Sequence, residues 1–175
     1  WKPENMREVA MLLRPEDDGE SYCCNNADQC AVVEASYDGR EFFRHVCVME
    51  FTGSWCSQCP DGATVLNYLI DRQYEGQAFA LAFHNNDAYA LEQEQELFKM
   101  FNWSGYPAYV TDMRDMGLLN EGGCDDSIET SLYDSPTYCS VAVESSYDAQ
   151  AGKAVLKAKV LSKKAMNYRI AAYVL

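Results

Sequence analysis

Apolar and polar residues change rhythm twice along this chain, and the middle stretch is the most orderly. HVCVMEF (45–51) reads as a buried strand. QAFALAF (77–83) reads as a second one, a continuous apolar run of the kind that parallel sheets bury on both faces. Between them DGATVLNYLIDRQ sets Val65, Leu66, Leu69 and Ile70 at helical spacing, and Pro60 falls in the first turn, where its missing N–H costs nothing. DAYALEQEQELFKMF (87–101) predicts a second amphipathic helix, YPAYVT (106–111) a third strand, and CDDSIETSLY (124–133) a short helix with an acidic start. Strand, helix and strand joined by short connections imply a right-handed parallel crossover, and so an α/β class.

On either side the pattern shifts. After Ser135-Pro136 the period falls to two: YCSVAVESSY, KAVLKAKVL and NYRIAAYVL read as three strands of an antiparallel meander with one wet face. Before residue 41, ENMREVAMLLR leads into the polar run PEDDGESYCCNNADQC, expected to be a surface loop. AVVEASYDGREFF follows, alternating around Asp38-Gly39, a strong two-residue hairpin signal. The expected organisation is therefore an N-terminal extension with a Cys-rich loop and hairpin (1–40), an α/β domain (41–134) and a β-meander from a sandwich-like domain (135–175). A start at Trp1 and an end on an apolar strand suggest a trimmed beginning and a β domain finished by further residues.

Composition narrows the functions. With 14 basic against 27 acidic residues the net charge is −13, a field that disfavours nucleic acid and anionic lipid. No apolar run approaches the ~20 residues of a membrane-spanning helix. Eight cysteines in 175 residues point to an oxidising compartment. Cys23, Cys24 and Cys30 lack a histidine and ribbon spacing, which favours a loop disulfide over a zinc knuckle. Cys124 and Cys139 flank the acidic helix and are candidates for a structural disulfide, while Cys47 shares a strand face with Met49 and Phe51 and reads as a buried thiol. Neither a metal nor a cofactor is implied.

EFTGSWCSQCPDG (50–62) carries the chemistry. Cys56 and Cys59 stand between a buried strand and a helix, so the first sulfur meets the helix N-terminus, whose free N–H groups stabilise a thiolate. The second, one turn on, lies beneath and can attack a mixed disulfide. A zinc site needs a second ligand pair, and the adjacent Cys23-Cys24 cannot supply one in the same way. Redox chemistry is the better reading.

WCSQCP after a VMEF strand, with GYPA about fifty residues on, resembles the thioredoxin superfamily. The series MEFTGSWCSQCPDG, AFHNNDAY and GYPAYVTD, followed by β strands, is similar to the envelope family named after the twenty-eight-kilodalton outer membrane protein. That resemblance covers about 45–175. It implies a thioredoxin-like domain joined to a β-sandwich-like one, a periplasmic or outer-membrane-associated setting, and protein thiols or disulfides as partners. It makes Cys56 the nucleophile, Cys59 the resolving cysteine, Trp55 the aromatic residue before them, and Pro107 a cis proline facing the disulfide. Tyr106 would offer its backbone to a bound peptide. Glu50 falls where thioredoxins keep a buried acid, and strand alternation independently sets it on the face of Val46 and Val48, where its pKa should rise and it could serve as a base. Ser57-Gln58 replaces the family's Gly-Pro, which leaves the direction of electron flow open, and MRDMGLLNEGG shows no convincing fourth strand.

Two functions compete on these grounds. One is a cell-envelope thiol–disulfide oxidoreductase acting on protein cysteines. The other is an envelope binding or structural module in which Cys56–Cys59 is a static staple. His84 and Asp87, at the end of the second strand, read as loop hydrogen-bonders before catalysts, and Trp103 as rim or core.

Overall fold

The computed structural model describes the backbone at residues 7–15, 22–31, 44–148 and 150–174, and side chains at 44–148 and 150–173. The chain divides into two compact units, Val46–Ser135 on one hand and Trp1–His45 with Pro136–Leu175 on the other.

The first unit is α/β. Its sheet has the order β4-β3-β5-β6, with β3 at Val46–Thr52, β4 at Ala78–His84, β5 at Ala108–Thr111 and β6 at Asp115–Leu118. β3 runs parallel to β4 and antiparallel to β5, and β5 runs antiparallel to β6. Every residue of β3 is buried, as expected of an apolar run that carries layers on both faces. On one face Val46 and Val48 join Leu66, Leu69, Tyr109 and Ile128 in a continuous core. On the other, the Phe51 ring packs 5.0 Å from Phe98 and 5.6 Å from Phe83.

Three helices cover this sheet. α1 (Cys59–Tyr68) starts with Pro60 in its first turn and continues as a π-helical turn over Leu69–Gln73. That turn closes where Tyr74 N–H reaches Leu69 O at 2.8 Å. α3 (Glu121–Glu129) is capped by Asn120, whose side-chain oxygen accepts Gly123 N–H at 2.9 Å, one of the otherwise orphaned donors of the first turn. α2 spans only Glu94–Met100, half the length its periodicity predicts. The Asp87 carboxylate accepts Tyr89 N–H at 2.9 Å, so residues 87 to 93 turn instead of winding.

The fourth strand that MRDMGLLNEGG seemed to lack is present as β6. Four residues long, with exposed ends and a half-buried middle, it has no apolar pattern to announce it.

The second unit contains the three-stranded sheet β2-β1-β9 and the hairpin β7-β8, all antiparallel. Here β1 is Arg7–Pro15, β2 Tyr22–Ala31, β7 Cys139–Asp148, β8 Lys153–Ser162 and β9 Arg169–Val174. Two expectations are corrected. YCCNNADQC is not a loop but β2, laid along β1 with a bulge where the register slips opposite Leu12 and Leu13. Pairing overrides its poor strand propensity. The three C-terminal strands do not form one meander either, because β9 takes β1 as its partner, leaving β7 and β8 as a hairpin. Cys139, Val141 and Val143 on β7 form the hairpin's buried cluster with Leu156, Ala158 and Tyr168. The turn predicted at Asp38-Gly39 lies outside the described residues.

Cys124 and Cys139, the candidates for a structural disulfide, are each a buried thiol in its own unit, Cys124 on α3 and Cys139 on β7. Cys47 is likewise a buried thiol, as its strand face predicts.

Leu66 ties α1 to β3, so Leu66→Ala should lower unfolding free energy by about 2–5 kcal/mol, the usual range for a truncated core leucine. Denaturant titration reads this as a lower midpoint with little change in slope.

Candidate active site

β3 ends at Thr52, and the chain turns through Gly53, Ser54 and Trp55 before α1 begins. Cys56 N–H donates to Gly53 O at 3.0 Å, which fixes this turn. Gly53 is required there: a Cβ on it would lie 2.6 Å from Trp55 Nε1. The indole therefore lies back over the turn, donating to Asn85 O at 2.6 Å while about half its surface faces solvent.

Cys56 and Cys59 are joined as a disulfide, with their Cα atoms 5.4 Å apart. Cys59 opens α1 and Cys56 precedes its N-cap, Gln58. Cys56 is the more accessible of the two, 9% exposed against 3% for Cys59. Both are thus largely covered in the oxidised pair, with Cys56 ahead of Cys59.

Pro107 stands against the first turn of α1, and the Tyr106–Pro107 bond is cis, as the Gly-Tyr-Pro-Ala context predicts. Contact between helix and proline is made through Gly62. A Cβ on Gly62 would fall 2.9 Å from Pro107 Cγ and 3.0 Å from Leu119 Cδ2. Gly62 carries its own signal in the sequence, since a glycine inside a helix weakens it and calls for a packing reason. A groove of about 280 Å³ opens here, lined by Gln58, Asp61, Val65, Pro107, Leu118 and Asn120 among others.

Tyr106 faces Trp55, ring centroids 5.2 Å apart and nearly edge-on, and stacks on Phe98 at 4.7 Å. Its hydroxyl donates to Glu94 Oε1 at 2.9 Å, and burial together with that bond pushes the phenol pKa upward. Trp103 lies in the same loop and donates to Gly105 O at 3.0 Å, shaping the approach to Tyr106.

Glu50 lies on β3 and is buried, 6% exposed. Its Oε1 has no hydrogen-bond partner. Burial raises its pKa, and the only opposing influence comes from His84. Glu50 in turn helps raise the Cys124 thiol, which burial first and nearby carboxylates second push to about 12. His84 and Asp87 serve the loop: Asp87 Oδ2 meets His84 Nδ1 at 2.7 Å and accepts Ser54 N–H at 2.8 Å. These contacts hold the Asp87 carboxyl well below the usual range, with the His84 bond the largest cause. The pair thus anchors the turn leading into Trp55.

The structure therefore gathers Trp55, Cys56, Cys59, Tyr106 and Pro107 around one loop–helix junction and sets Glu50 in the strand that feeds it. Asn85, Gly62 and Glu94 complete the setting. EQEQE gave no sign that Glu94 is buried, since a glutamate in such a run reads as solvated.

No protein family and no curated protein matches the chain. Among solved structures, HBP35 of Porphyromonas gingivalis is similar, at 19% identity and a TM-score of 0.49, over 64% of this chain and 38% of that one. The chain thus spans well under half of that protein's length. The germline-specific thioredoxin Deadhead of Drosophila melanogaster aligns with 49% of this chain and 80% of its own, at 18% identity and a TM-score of 0.39. A structural-genomics protein from Agrobacterium tumefaciens aligns over 73% and 77% respectively, at 14% identity and a TM-score of 0.45.

A carboxyl whose folded pKa is raised binds more protons folded than unfolded between its two pKa values. Its contribution to stability is therefore lost as pH rises through the folded value. Glu50→Gln should relieve that loss. The variant should gain melting temperature relative to the unaltered chain at pH 7.5, with the gain shrinking toward pH 4. A constant difference across this range would contradict the reading. Gly62→Ala should cost about 1–3 kcal/mol, since the methyl group must displace Pro107 or Leu119; chemical denaturation measures it.

Proposed function

We propose that the α/β unit is a thiol–disulfide oxidoreductase acting on protein cysteines through Cys56 and Cys59. The observation that carries this reading is a bonded cysteine pair at a strand–loop–helix junction, its more accessible member placed before the helix N-terminus. A structural staple gains nothing from that position, whereas a nucleophilic thiolate does.

In the reducing direction, the Cys56 thiolate attacks one sulfur of a substrate disulfide. A Cys56–substrate bond forms, the substrate disulfide breaks, and the other substrate sulfur leaves as a thiolate. Cys59 then gives up its proton and attacks Cys56 Sγ, releasing the second substrate thiol and restoring the Cys56–Cys59 disulfide. Two electrons pass to the substrate, and a dithiol reductant must return them for the next cycle. Oxidation of substrate thiols is the same sequence reversed. Glu50 suits the Cys59 proton because burial raises its pKa above the usual carboxylate value and makes it a better base. Trp55, Tyr106 and Pro107 form the surface that meets the substrate chain.

The setting we assign is the cell envelope, periplasmic or associated with the outer membrane. Eight cysteines in 175 residues and the sequence resemblance to an envelope family support it. Among the described residues no helix is long and apolar enough to cross a membrane.

One observation favours the second reading, a binding or structural module with a static disulfide: both cysteines lie largely covered. Trapping separates the two. Cys59→Ser should retain disulfide-bonded protein partners from an envelope extract, and Cys56→Ser should retain none. The unaltered chain should also accelerate insulin reduction by a dithiol. Trapping by neither variant, with Cys56 unreactive to alkylation after mild reduction, would establish the module instead.

A further inference from the structure

Glu94, at the start of α2, is with Asp112 one of the two most deeply buried carboxylates in the α/β unit, each 1% exposed. No lysine, arginine or histidine pairs with it among the described residues. A charge in that position is costly unless hydrogen bonds compensate it, and removing its partners leaves the cost unrelieved. Its two oxygens are divided between two partners. Oε1 accepts the Tyr106 hydroxyl at 2.9 Å, and Oε2 accepts Asn85 Nδ2 at 2.8 Å.

Each partner leads to the candidate active site. Asn85 follows β4, and its carbonyl accepts the Trp55 indole N–H at 2.6 Å. Its own N–H donates to Thr52 O at 2.9 Å, so the last residue of β3 holds it in place. Tyr106 precedes Pro107 and closes the circuit with its edge contact to Trp55, 5.2 Å between centroids. Four residues from four separate segments thus form a closed ring of contacts: Trp55, Asn85, Glu94 and Tyr106. Only Glu94 accepts from both arms. Its neighbour Phe98, one turn further along α2, stacks on Tyr106 and braces the same ring from below.

We propose that Glu94 is a positioning residue: it holds Trp55 and Tyr106 in a single substrate-facing surface beside the cysteine pair. This rests on the oxidoreductase reading above. A carboxylate suits the task because both oxygens accept, whereas an amide offers one oxygen and a donor group. Charge-assisted bonds are also shorter and stronger than neutral ones. Glutamine can keep the Tyr106 bond but meets Asn85 donor to donor until the Asn85 amide turns over, so it should act as a partial replacement. Leucine supplies neither bond.

The test uses the full chain labelled with 5-fluorotryptophan, with the Trp55 fluorine signal assigned by its loss in Trp55→Phe. Glu94→Leu should shift and broaden the Trp55 signal, and Glu94→Gln should do so to a smaller degree. In the same preparations KM for insulin should rise about five- to tenfold in Glu94→Leu, the scale of one or two lost hydrogen bonds, with less change in kcat. Exchange with a small aromatic disulfide, which needs no docking surface, should keep its rate. Glu94→Gln should fall between, which keeps the test informative if Glu94→Leu folds poorly. An unmoved Trp55 signal, an unchanged KM, or an equal loss with protein and small disulfides would each overturn the positioning role. Absence of exchange in the unaltered chain would instead defeat the parent reading and the role with it.

Discussion

Burial of β3 on both faces is the constraint from which the α/β unit follows. A strand with no solvent-facing side must be central, must carry a neighbour on each edge, and must be covered above and below. Val46 and Val48 therefore call for α1 and α3 on one side, and Phe51 for the aromatic layer of Phe83, Phe98 and Phe101 on the other. Fully burying side chains of this size stabilises by about 1.5–3 kcal/mol each, so a handful of residues in one strand anchors most of the unit. The strand's end then sets the geometry of the cysteine pair, because Thr52 fixes Asn85 and the turn through Gly53 fixes Cys56.

Two buried glutamates show the two ways in which such a core accepts a carboxyl group. Glu50 has an oxygen without a partner, and burial drives its pKa upward, so the protonated form is favoured. Glu94 has both oxygens satisfied by donors and works as an acceptor. Similar burial thus yields different chemistry: one group is suited to trading a proton, the other to holding side chains still. They belong to different layers, Glu50 to the central strand and Glu94 to the helix covering its aromatic face.

How much of this the sequence disclosed depends on which signals are local. β3, β4 and α1 were legible because continuous apolar runs and helical spacing state their burial directly. Glu50, Trp55, Cys56 and Cys59 stand within ten residues of one another in one strand and motif, whereas Tyr106 and Pro107, about fifty residues on, were singled out only through the family resemblance. β2 was hidden because its strand character comes from pairing with the neighbouring β1 and not from its own polar residues. The early end of α2 was hidden because the Asp87 carboxylate, rather than helical periodicity, governs residues 87 to 93. Glu94 looks ordinary on its own, and Gly62 calls for a packing reason without naming it. Their meaning arises from contacts with Asn85, Tyr106 and Pro107, which only the folded chain assembles.

The cysteines themselves divide by environment. Cys47, Cys124 and Cys139 are enclosed thiols whose pKa values burial pushes up, the latter two to about 12. A thiol so held is almost never a thiolate near neutral pH, and the thiolate is the attacking species. These three are therefore poor competitors for exchange, and Glu50 reinforces this for Cys124. Cys56 differs in kind: it lies in a turn, ahead of a helix N-terminus, with solvent on the Trp55 side. Among the cysteines whose side chains are described, the fold thus separates three enclosed thiols from a bonded pair at a loop–helix junction. That separation supports the proposed redox reading over one in which Cys56 and Cys59 are two staples among many.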